Sequence, residues 1–206
     1  MNTKNLDNCV LDYLRFHRLE RSAKWNCNDF YRKTDDDLFS FDDKSFFANE
    51  NAIAKYENSL KKTVNIVWYE KFLNSLKTQN QKQKRCDAIV YTDDDLYFTL
   101  NELTITSEKN NAKKSFYARL QLKASLKDLN SAPKVCGFIK SHKLKYLCYF
   151  NKINAKNPAV RAFNRINALK ETLKGYEMPD YEINSQGFCY KEFYGEQKFI
   201  MSAIRG

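Results

Sequence analysis

The chain has 206 residues, of which 43% are hydrophobic and 15% aromatic, so it is long enough to bury a sizeable core in one domain. Its 5 Gly and 3 Pro exclude a collagen-like or low-complexity protein, and no apolar run approaches the roughly 18 residues of a membrane span. The formal net charge of +10 favours a polyanionic partner, with nucleic acid ahead of a membrane surface.

The charge divides the chain into two parts. Residues 1–50 contain 8 Lys/Arg and 10 Asp/Glu, whereas residues 51–206 contain 27 and 15. This asymmetry predicts an acidic and aromatic N-terminal extension over 1–50, followed by a basic domain over 51–206. The first residues lack the apolar stretch of an export signal, and the 6 cysteines include no C-x-x-C pair. We therefore expect a cytoplasmic protein with reduced thiols that does not enter a membrane.

The first half of the chain mixes helical and extended patterns. Apolar residues at spacings of four and three predict a helix over Leu6–Leu19. Residues 26–50, rich in Asp and Phe, are predicted to be a solvated, partly irregular connection that folds over the body through its phenylalanines, Phe39, Phe41, Phe46 and Phe47. A second helix is predicted over Ala48–Leu60. The β-branched and aromatic run Val64–Tyr69 predicts a strand, and the basic polar stretch Lys77–Arg85 follows it.

The second half indicates a sheet with helices packed on it. Cys86–Tyr91 and Leu96–Ile105, separated by the turn sequence Thr92–Asp95, predict a β-hairpin. Apolar residues on one stripe predict a helix over Ala112–Leu129. The remaining expected elements are two strands, a helix and two further strands: Val135–Ile139, Leu144–Phe150, Ala159–Leu173, Glu182–Phe193 and Lys198–Ile204. The predicted fold class is α/β or mixed α+β with a central sheet.

Two carboxylates lie at the ends of the predicted hairpin. Asp87 starts the first strand and Glu102 is near the end of the second, so a hairpin folded about residues 93–94 brings them together. With the backbone carbonyl of Leu103 they form an oxygen-only site of the kind that Mg²⁺ accepts, with Mn²⁺ as the alternative ion. A metal held in this way polarises a phosphate and lowers the pKa of an attacking water.

This segment resembles a known superfamily. The strings K-R-C-D-A-I-V-Y, N-E-L-T and A-R-L-Q-L, within about residues 64–150, are similar to the PD-(D/E)XK nucleases, in particular to small bacterial members with Cys-Asp, Glu-x-Lys and Ala-x-x-Gln-Leu. The resemblance implies a restriction-endonuclease-like fold, in which a mixed β-sheet is flanked by helices. It also implies that Asp87 and Glu102 bind Mg²⁺, and it marks Gln121 as a site residue.

The sequence departs from this pattern at one position. Thr104 stands where the superfamily has the lysine that positions the attacking water and stabilises charge on the phosphate. A hydroxyl donates a hydrogen bond but brings no positive charge, and losing one such charge-stabilising donor costs about 10²–10³ in rate. Either the site is weakened or another cation substitutes. The candidates are Lys123 and Arg119 on the following helix, and Arg85 just ahead of Asp87.

A basic rim surrounds the proposed site. The side chains expected to contact nucleic-acid phosphates lie on both sides of the hairpin: Lys84, Arg85, Lys113, Lys114 and Arg119. Such a rim gives salt-dependent binding that is largely independent of base sequence. DNA is the expected partner, and a homodimer is compatible with the sequence. Glu50 and Glu57, on the preceding predicted helix, are candidates for an additional carboxylate at the site.

Three functions are consistent with these residues. The first is a metal-dependent nuclease that cleaves DNA phosphodiester bonds through Mg²⁺ held by Asp87 and Glu102. The second keeps the fold without the chemistry, as a nucleic-acid-binding or protein-interaction module of a defence or mobile-element system. The third is a basic scaffold of such a system that never touches nucleic acid, which predicts dispersed positive charges. Thr104 separates the first two, because the enzyme needs a cation within reach of the metal position.

Overall fold

The computed structural model of the chain describes residues 3–17, 29–43, 45–47, 52–75, 85–106, 111–153 and 174–202. The helices in these ranges are α1 (Thr3–Phe16), α2 (Tyr69–Ser75), α3 (Asn111–Ser131), α4 (Pro133–Ser141) and α5 (Tyr181–Ser185). The strands are β1 (Tyr31–Thr34), β2 (Leu38–Phe41), β3 (Phe46–Phe47), β4 (Ala54–Glu57), β5 (Val64–Trp68), β6 (Ala88–Thr92), β7 (Tyr97–Thr106), β8 (Leu144–Ile153), β9 (Tyr176–Met178), β10 (Cys189–Tyr194) and β11 (Phe199–Ile200). Of the helices in these ranges, none is long and apolar enough to cross a membrane.

A seven-stranded mixed sheet is the main layer of the fold, in the order β1-β5-β6-β7-β8-β10-β9. Neighbours from β1 to β7 are antiparallel, β7, β8 and β10 are parallel, and β9 pairs antiparallel with β10 at the far edge. The parallel step from β7 to β8 requires a crossover, which α3 and α4 supply. The predicted mixed α+β class with a central mixed sheet is thus confirmed.

The predicted hairpin lies at the centre of this sheet. β6 pairs with β7 so that Ala88 is opposite Asn101. The connection turns at Asp95, whose φ of 54° is in the left-handed region that Asp and Asn tolerate. β7 is longer than β6 and pairs over its whole length with β8 on its other side. Beyond Asn101, the β6-side edge of β7 therefore faces the residues that precede β6.

A four-stranded sheet, in the order β11-β4-β2-β3, shares an aromatic core with the main sheet. Tyr56 on β4 contacts Phe150 on β8 with ring centroids 5.6 Å apart, and its hydroxyl donates to Asn101 on β7 at 2.5 Å. Phe39 and Phe41, two residues apart on β2, are fully buried and stack on Tyr56. These side chains hold the two sheets together behind the hairpin.

Two predictions for the first sixty residues are wrong. Residues 29–47 contribute three strands instead of an irregular connection, because their backbone pairs with β4 and β5. The expected packing of Phe39 and Phe41 on the body is confirmed, since both are fully buried. The helix predicted over Ala48–Leu60 is replaced by β4, since pairing with β2 buries consecutive residues from Ala54 to Tyr56 on both faces. The helix predicted over Leu6–Leu19 is present as α1. Because β2, β3 and β4 share one sheet, the domain boundary predicted at residue 50 falls inside that sheet.

The second half also departs from prediction in places. Val135–Ile139 is part of helix α4 and not a strand, because Pro133 favours the first turn and Val135 and Ile139 are four residues apart on the buried face. The strand predicted over Glu182–Phe193 begins only with β10, after α5, at whose start Asp180 Oδ1 accepts from the Ile183 amide at 3.2 Å. The last predicted strand is the short β11. The helix predicted over Ala159–Leu173 lies outside the described residues.

Truncation of Phe150 is expected to destabilise the protein strongly, because its ring lies between the two sheets. Phe150 is 1% exposed and stacks on Phe193 with ring centroids 4.4 Å apart. We expect Phe150→Ala to lower the free energy of unfolding by about 3–5 kcal/mol, measured by urea denaturation. Phe116→Ala is the matched control, because Phe116 is 59% exposed on α3 and should change stability by no more than about 0.5 kcal/mol. Similar effects of the two substitutions would contradict the shared core.

Candidate metal centre

Asp87 lies immediately before β6, at the open end of the hairpin. Its backbone N–H donates to the Asn101 carbonyl at 2.9 Å, which extends the hairpin ladder by one residue. Its Oδ2 accepts from the backbone N–H of Leu103 at 2.5 Å. The N–H and C=O of a strand residue point to the same side, so the Leu103 carbonyl also lies on the Asp87 edge of β7. The hairpin thus brings Asp87 to the backbone beside Glu102.

Glu102 is 6% exposed and is covered by α3. Its Oε1 accepts from Gln121 Nε2 at 2.9 Å, and the same Nε2 lies 3.2 Å from the Arg85 carbonyl, to which it also donates. Gln121 therefore links α3 to β7 and to the segment that precedes β6. In the part of the chain that the structure describes, Oε2 of Glu102 has no hydrogen-bond partner. Because burying an unpaired carboxylate oxygen is costly, this oxygen either carries a proton or binds a ligand that the chain does not supply.

A third carboxylate, which the sequence analysis missed, lies beside this pair. Glu70 is in the first turn of α2, and its backbone N–H donates to the Asp87 carbonyl at 3.3 Å. Its negative charge raises the pKa of both Asp87 and Glu102. The signal for Glu70 is its place directly after the buried strand β5, which pairs with β6. Recognising it from sequence requires knowing that β5 and β6 are neighbours.

Burial and mutual repulsion make the ionised forms of these carboxylates unfavourable. Burial is the main cause that raises the pKa of Asp87 to about 7, and Glu70 and Asp43 add to it while the Leu103 amide opposes it. Burial likewise raises the pKa of Glu102 to about 10, with further contributions from Asp87 and Glu70. Without a cation, burial and the neighbouring carboxylates therefore favour the protonated form of Glu102. A bound divalent ion would supply the positive charge that the ionised carboxylates lack.

Two of the predicted substitute cations are held elsewhere. Lys123 Nζ lies 2.8 Å from a Glu182 carboxylate oxygen and 3.0 Å from an Asp180 oxygen. The Arg119 guanidinium lies 3.7 Å from both Asp180 and Glu192. We call these five residues the α3–α5 ion cluster. Its contacts fasten α3 to α5 and β10, and they direct both cations toward carboxylates other than Asp87 and Glu102.

The remaining cations differ in their relation to the centre. The Arg85 side chain is close to Tyr13 on α1, since its charge opposes the rise that burial causes in the pKa of Tyr13. Lys114 is exposed in the first turn of α3, seven residues before Gln121 and therefore on the same helix face. Its charge lowers the pKa of Glu102, against the larger effect of burial. Lys114 is thus a cation on the side of the centre, whereas the sequence analysis assigned it only to phosphate contacts.

The other predicted site residues are distributed as follows. Thr104 lies two residues after Glu102 on the same face of β7, and its hydroxyl faces Tyr149 on β8. Lys113 is exposed beside Lys114, whereas Lys84 and Glu50 lie outside the described residues. Glu57 is on β4, where its carboxylate is 3.8 Å from Lys198 Nζ. It belongs to the other sheet and does not supply the additional carboxylate, a place that Glu70 takes instead.

These residues fit a metal site that substrate and water complete. Over the described ranges, no three or more His, Cys, Asp or Glu side chains are arranged to hold a metal by themselves. Mg²⁺, however, is commonly bound through one or two carboxylates, several waters and substrate phosphates. Asp87, Glu102 and the Leu103 carbonyl offer the hard oxygen ligands that this ion prefers. The buried Oε2 of Glu102, for which the described chain supplies no partner, is the oxygen that such an ion would satisfy.

Comparison of the chain with protein-family models, with curated proteins and with solved structures finds no match. Its similarity to the PD-(D/E)XK nucleases therefore stays a prediction. That prediction rests on Asp87, Glu102 and Gln121 in the sequence and on the strand–turn–strand–helix pattern that carries them.

Proposed function

We propose that this protein is a divalent-cation-dependent nuclease that hydrolyses phosphodiester bonds in DNA. The observation that carries the proposal is the buried carboxylate of Glu102, one oxygen of which has no partner in the described chain, next to Asp87 at the open end of the hairpin. Burial of two neighbouring carboxylates that no described cation pairs with is destabilising, and such sites are typically functional. A bound cation turns the same arrangement into a favourable one.

Each residue of the centre has a role in this proposal. Asp87, Glu102 and the Leu103 carbonyl would hold Mg²⁺ or Mn²⁺, which supplies Lewis acidity and a more acidic bound water. Gln121 fixes Glu102 against α3 through its 2.9 Å hydrogen bond, so that one carboxylate oxygen stays directed to the ion. Glu70, the carboxylate beside Asp87, is our candidate for accepting the proton of the attacking water.

The start of α3 supports nucleic acid as the substrate. Lys113 and Lys114 are both exposed in its first turn, on the side from which Lys114 acts on Glu102. A helix N-terminus has a partial positive charge, which adds to two lysines in attracting a phosphate. A phosphodiester held here would lie between the carboxylates and the lysines. Lys114 then stabilises the negative charge that develops on the phosphate, the role left open by Thr104.

A second function is favoured by a different observation. Lys123 and Arg119 are paired with carboxylates of the α3–α5 ion cluster, and Thr104 brings no charge. Burial raises the pKa of Glu102 and so favours its neutral form, in which the hydrogen bond from Gln121 holds the side chain without a metal. In that case the protein is a catalytically inactive module of the same fold, which binds nucleic acid or a protein partner.

Cleavage and binding assays on the full chain separate these two functions. Supercoiled plasmid and single-stranded DNA are incubated with the protein in Mg²⁺, in Mn²⁺ and in EDTA. The nuclease proposal expects nicking or shortening of DNA with either ion and none in EDTA. Intact DNA in all three conditions, together with salt-dependent DNA binding measured by fluorescence anisotropy, would instead support the inactive module. Intact DNA without binding would leave the protein-interaction form of that module.

The role of Lys114 yields a prediction with a control on the same helix. Lys114→Ala is expected to lower the cleavage rate by about 10²-fold, because the phosphate loses a charge-stabilising group. Lys127 is also exposed on α3, but 13 residues later, about 20 Å along the helix axis. Lys127→Ala should change the rate less than twofold in the same plasmid assay. Equal losses in the two variants would indicate general attraction of DNA by positive charge and would remove Lys114 from the site.

A further inference from the structure

A buried tyrosine lies in register with the proposed metal ligand. Tyr149 on β8 is directly opposite Glu102 on β7, and on its other side it is opposite Glu192 on β10. Residues opposite one another on neighbouring strands point to the same face of a sheet. Glu102, Tyr149 and Glu192 therefore form one row across three strands, on the face that α3 covers. Tyr149 has no exposed surface.

The Tyr149 hydroxyl has no hydrogen-bond partner among the residues that the structure describes. It faces the Thr104 hydroxyl without making a hydrogen bond of normal geometry. Its ring packs edge-on against Tyr194, with centroids 6.2 Å apart. A fully buried hydroxyl that donates to nothing destabilises the folded protein. Oε2 of Glu102, the neighbouring side chain in the row, also lacks a hydrogen-bond partner. This part of the sheet therefore has one hydroxyl donor and one carboxylate acceptor that no residue of the described chain pairs with.

Glu192, the second carboxylate of this row, differs from Glu102 because its oxygens have hydrogen-bond partners. Glu192 accepts hydrogen bonds from the hydroxyls of Ser115, Tyr190 and Tyr194, and Arg119 adds an ion pair at 3.7 Å. Its hydrogen-bonding capacity is filled by residues of the described chain. Tyr149 takes no part in that network, although it lies beside it. The Tyr149 hydroxyl is thus available to donate a hydrogen bond to Glu102, whose Oε2 also lacks a partner in the described chain.

We propose that Tyr149 is a positioning residue of the metal centre, whose hydroxyl donates to the Glu102 carboxylate, directly or through one buried water, when that carboxylate binds a cation. The inference rests on the proposed function. Carboxylates that ligate metals are themselves held by hydrogen bonds from a second layer of residues. Tyr149 would supply that bond from the sheet, as Gln121 supplies one from α3.

Mn²⁺ affinity of the full chain, measured by isothermal titration calorimetry, tests the proposal. Tyr149→Phe removes only the hydroxyl and keeps the ring contact with Tyr194. We expect it to weaken Mn²⁺ binding by about 10–100-fold, the usual effect of losing such a second-layer partner. Tyr194→Phe is the matched control, because its hydroxyl serves Glu192 and not Glu102. That variant should bind Mn²⁺ as the wild type does.

A thermal melt in EDTA distinguishes positioning from a structural role. Because the Tyr149 hydroxyl makes no hydrogen bond in the described chain, Tyr149→Phe should keep or slightly raise the melting temperature without metal. Loss of stability in EDTA would show that the hydroxyl has another structural partner and would overturn the proposal. So would wild-type Mn²⁺ affinity in Tyr149→Phe when Glu102→Gln removes binding, an outcome that leaves the metal centre standing. No Mn²⁺ binding by the wild type would refute the centre itself and this inference with it.

Discussion

Replacing Glu102 with Gln is expected to abolish cation-dependent cleavage while leaving the metal-free protein at least as stable as the wild type. Burial and neighbouring carboxylates raise the pKa of Glu102, which favours a neutral side chain when no cation is bound. A glutamine keeps that shape and neutrality, but it cannot ionise to bind the ion. We therefore expect cleavage to fall at least 10²–10³-fold, about the effect of losing one charge-stabilising group.

Plasmid nicking in Mg²⁺ and a thermal melt in EDTA measure the two halves of this prediction. Asp87→Asn should lose cleavage similarly, because its remaining Oδ1 can still accept from the Leu103 amide while the negative charge is gone. Glu57→Gln is the control, since Glu57 lies on β4 in the other sheet and pairs with Lys198 at 3.8 Å. It should keep wild-type activity. Wild-type cleavage by either the Glu102 or the Asp87 variant would show that the chemistry resides elsewhere.

The second large predicted effect is a fall in the free energy of unfolding as the pH rises. The pKa values of Asp87 and Glu102 are raised on folding, from 3.8 to about 7 and from 4.5 to about 10. Between these limits the folded protein holds protons that the unfolded chain has released, so the free energy of unfolding falls as pH rises. The stabilisation is complete below about pH 4, and it is lost progressively through pH 7 for Asp87 and pH 10 for Glu102.

A divalent cation should reverse this loss, because it binds the ionised carboxylates and competes with the protons. The expected result is that Mg²⁺ raises the melting temperature more at pH 8 than at pH 5, by differential scanning calorimetry against EDTA. Glu102→Gln should flatten the fall of stability with pH and remove most of the effect of Mg²⁺. If Mg²⁺ stabilises the wild type equally at both pH values, or stabilises Glu102→Gln as much as the wild type, the carboxylates are not its binding site.

The hairpin is the part of the molecule that sequence reasoning describes best. Its two strands are β-branched and aromatic runs, and the Thr92–Asp95 sequence between them is typical of a turn. Both signals are local, so the meeting of Asp87 with the backbone beside Glu102 follows from local pattern alone. Gln121 was found through a resemblance, and its hydrogen bond to Glu102 agrees with a site role.

What sequence reasoning missed depends on contacts between distant segments. Glu70 joins the centre only because β5 pairs with β6, a partnership that no local pattern encodes. The choice of Lys123 and Arg119 was by contrast a local error: each is two residues from Gln121, about 200° around the helix, so both face away from the centre toward Asp180 and Glu192.

Local pattern also failed around β4. Apolar residues recur every four positions from Ala48 to Leu60, a helix-like spacing, whereas the four residues of β4 alternate between apolar and polar, a strand pattern too short to stand out. A short apolar run such as that in α4 is similarly ambiguous between helix and strand. In both cases, contacts with neighbouring segments decide whether the residues form a helix or a strand, and the local sequence does not.

The α3–α5 ion cluster limits how far this protein is modular. A fragment ending at Ile153 would keep Asp87, Glu102 and Gln121, and with them all the residues that resemble a nuclease. It would lose the counter-charges of Lys123 and Arg119, whose side chains are only 22% and 28% exposed, together with the strand that flanks β8. Lys123 and Arg119 would then lack their carboxylate partners beside an unpaired edge of β8, although buried residues such as Leu122 would still pack α3 on the sheet. A shortened chain that is meant to keep the centre intact should therefore retain the last strands.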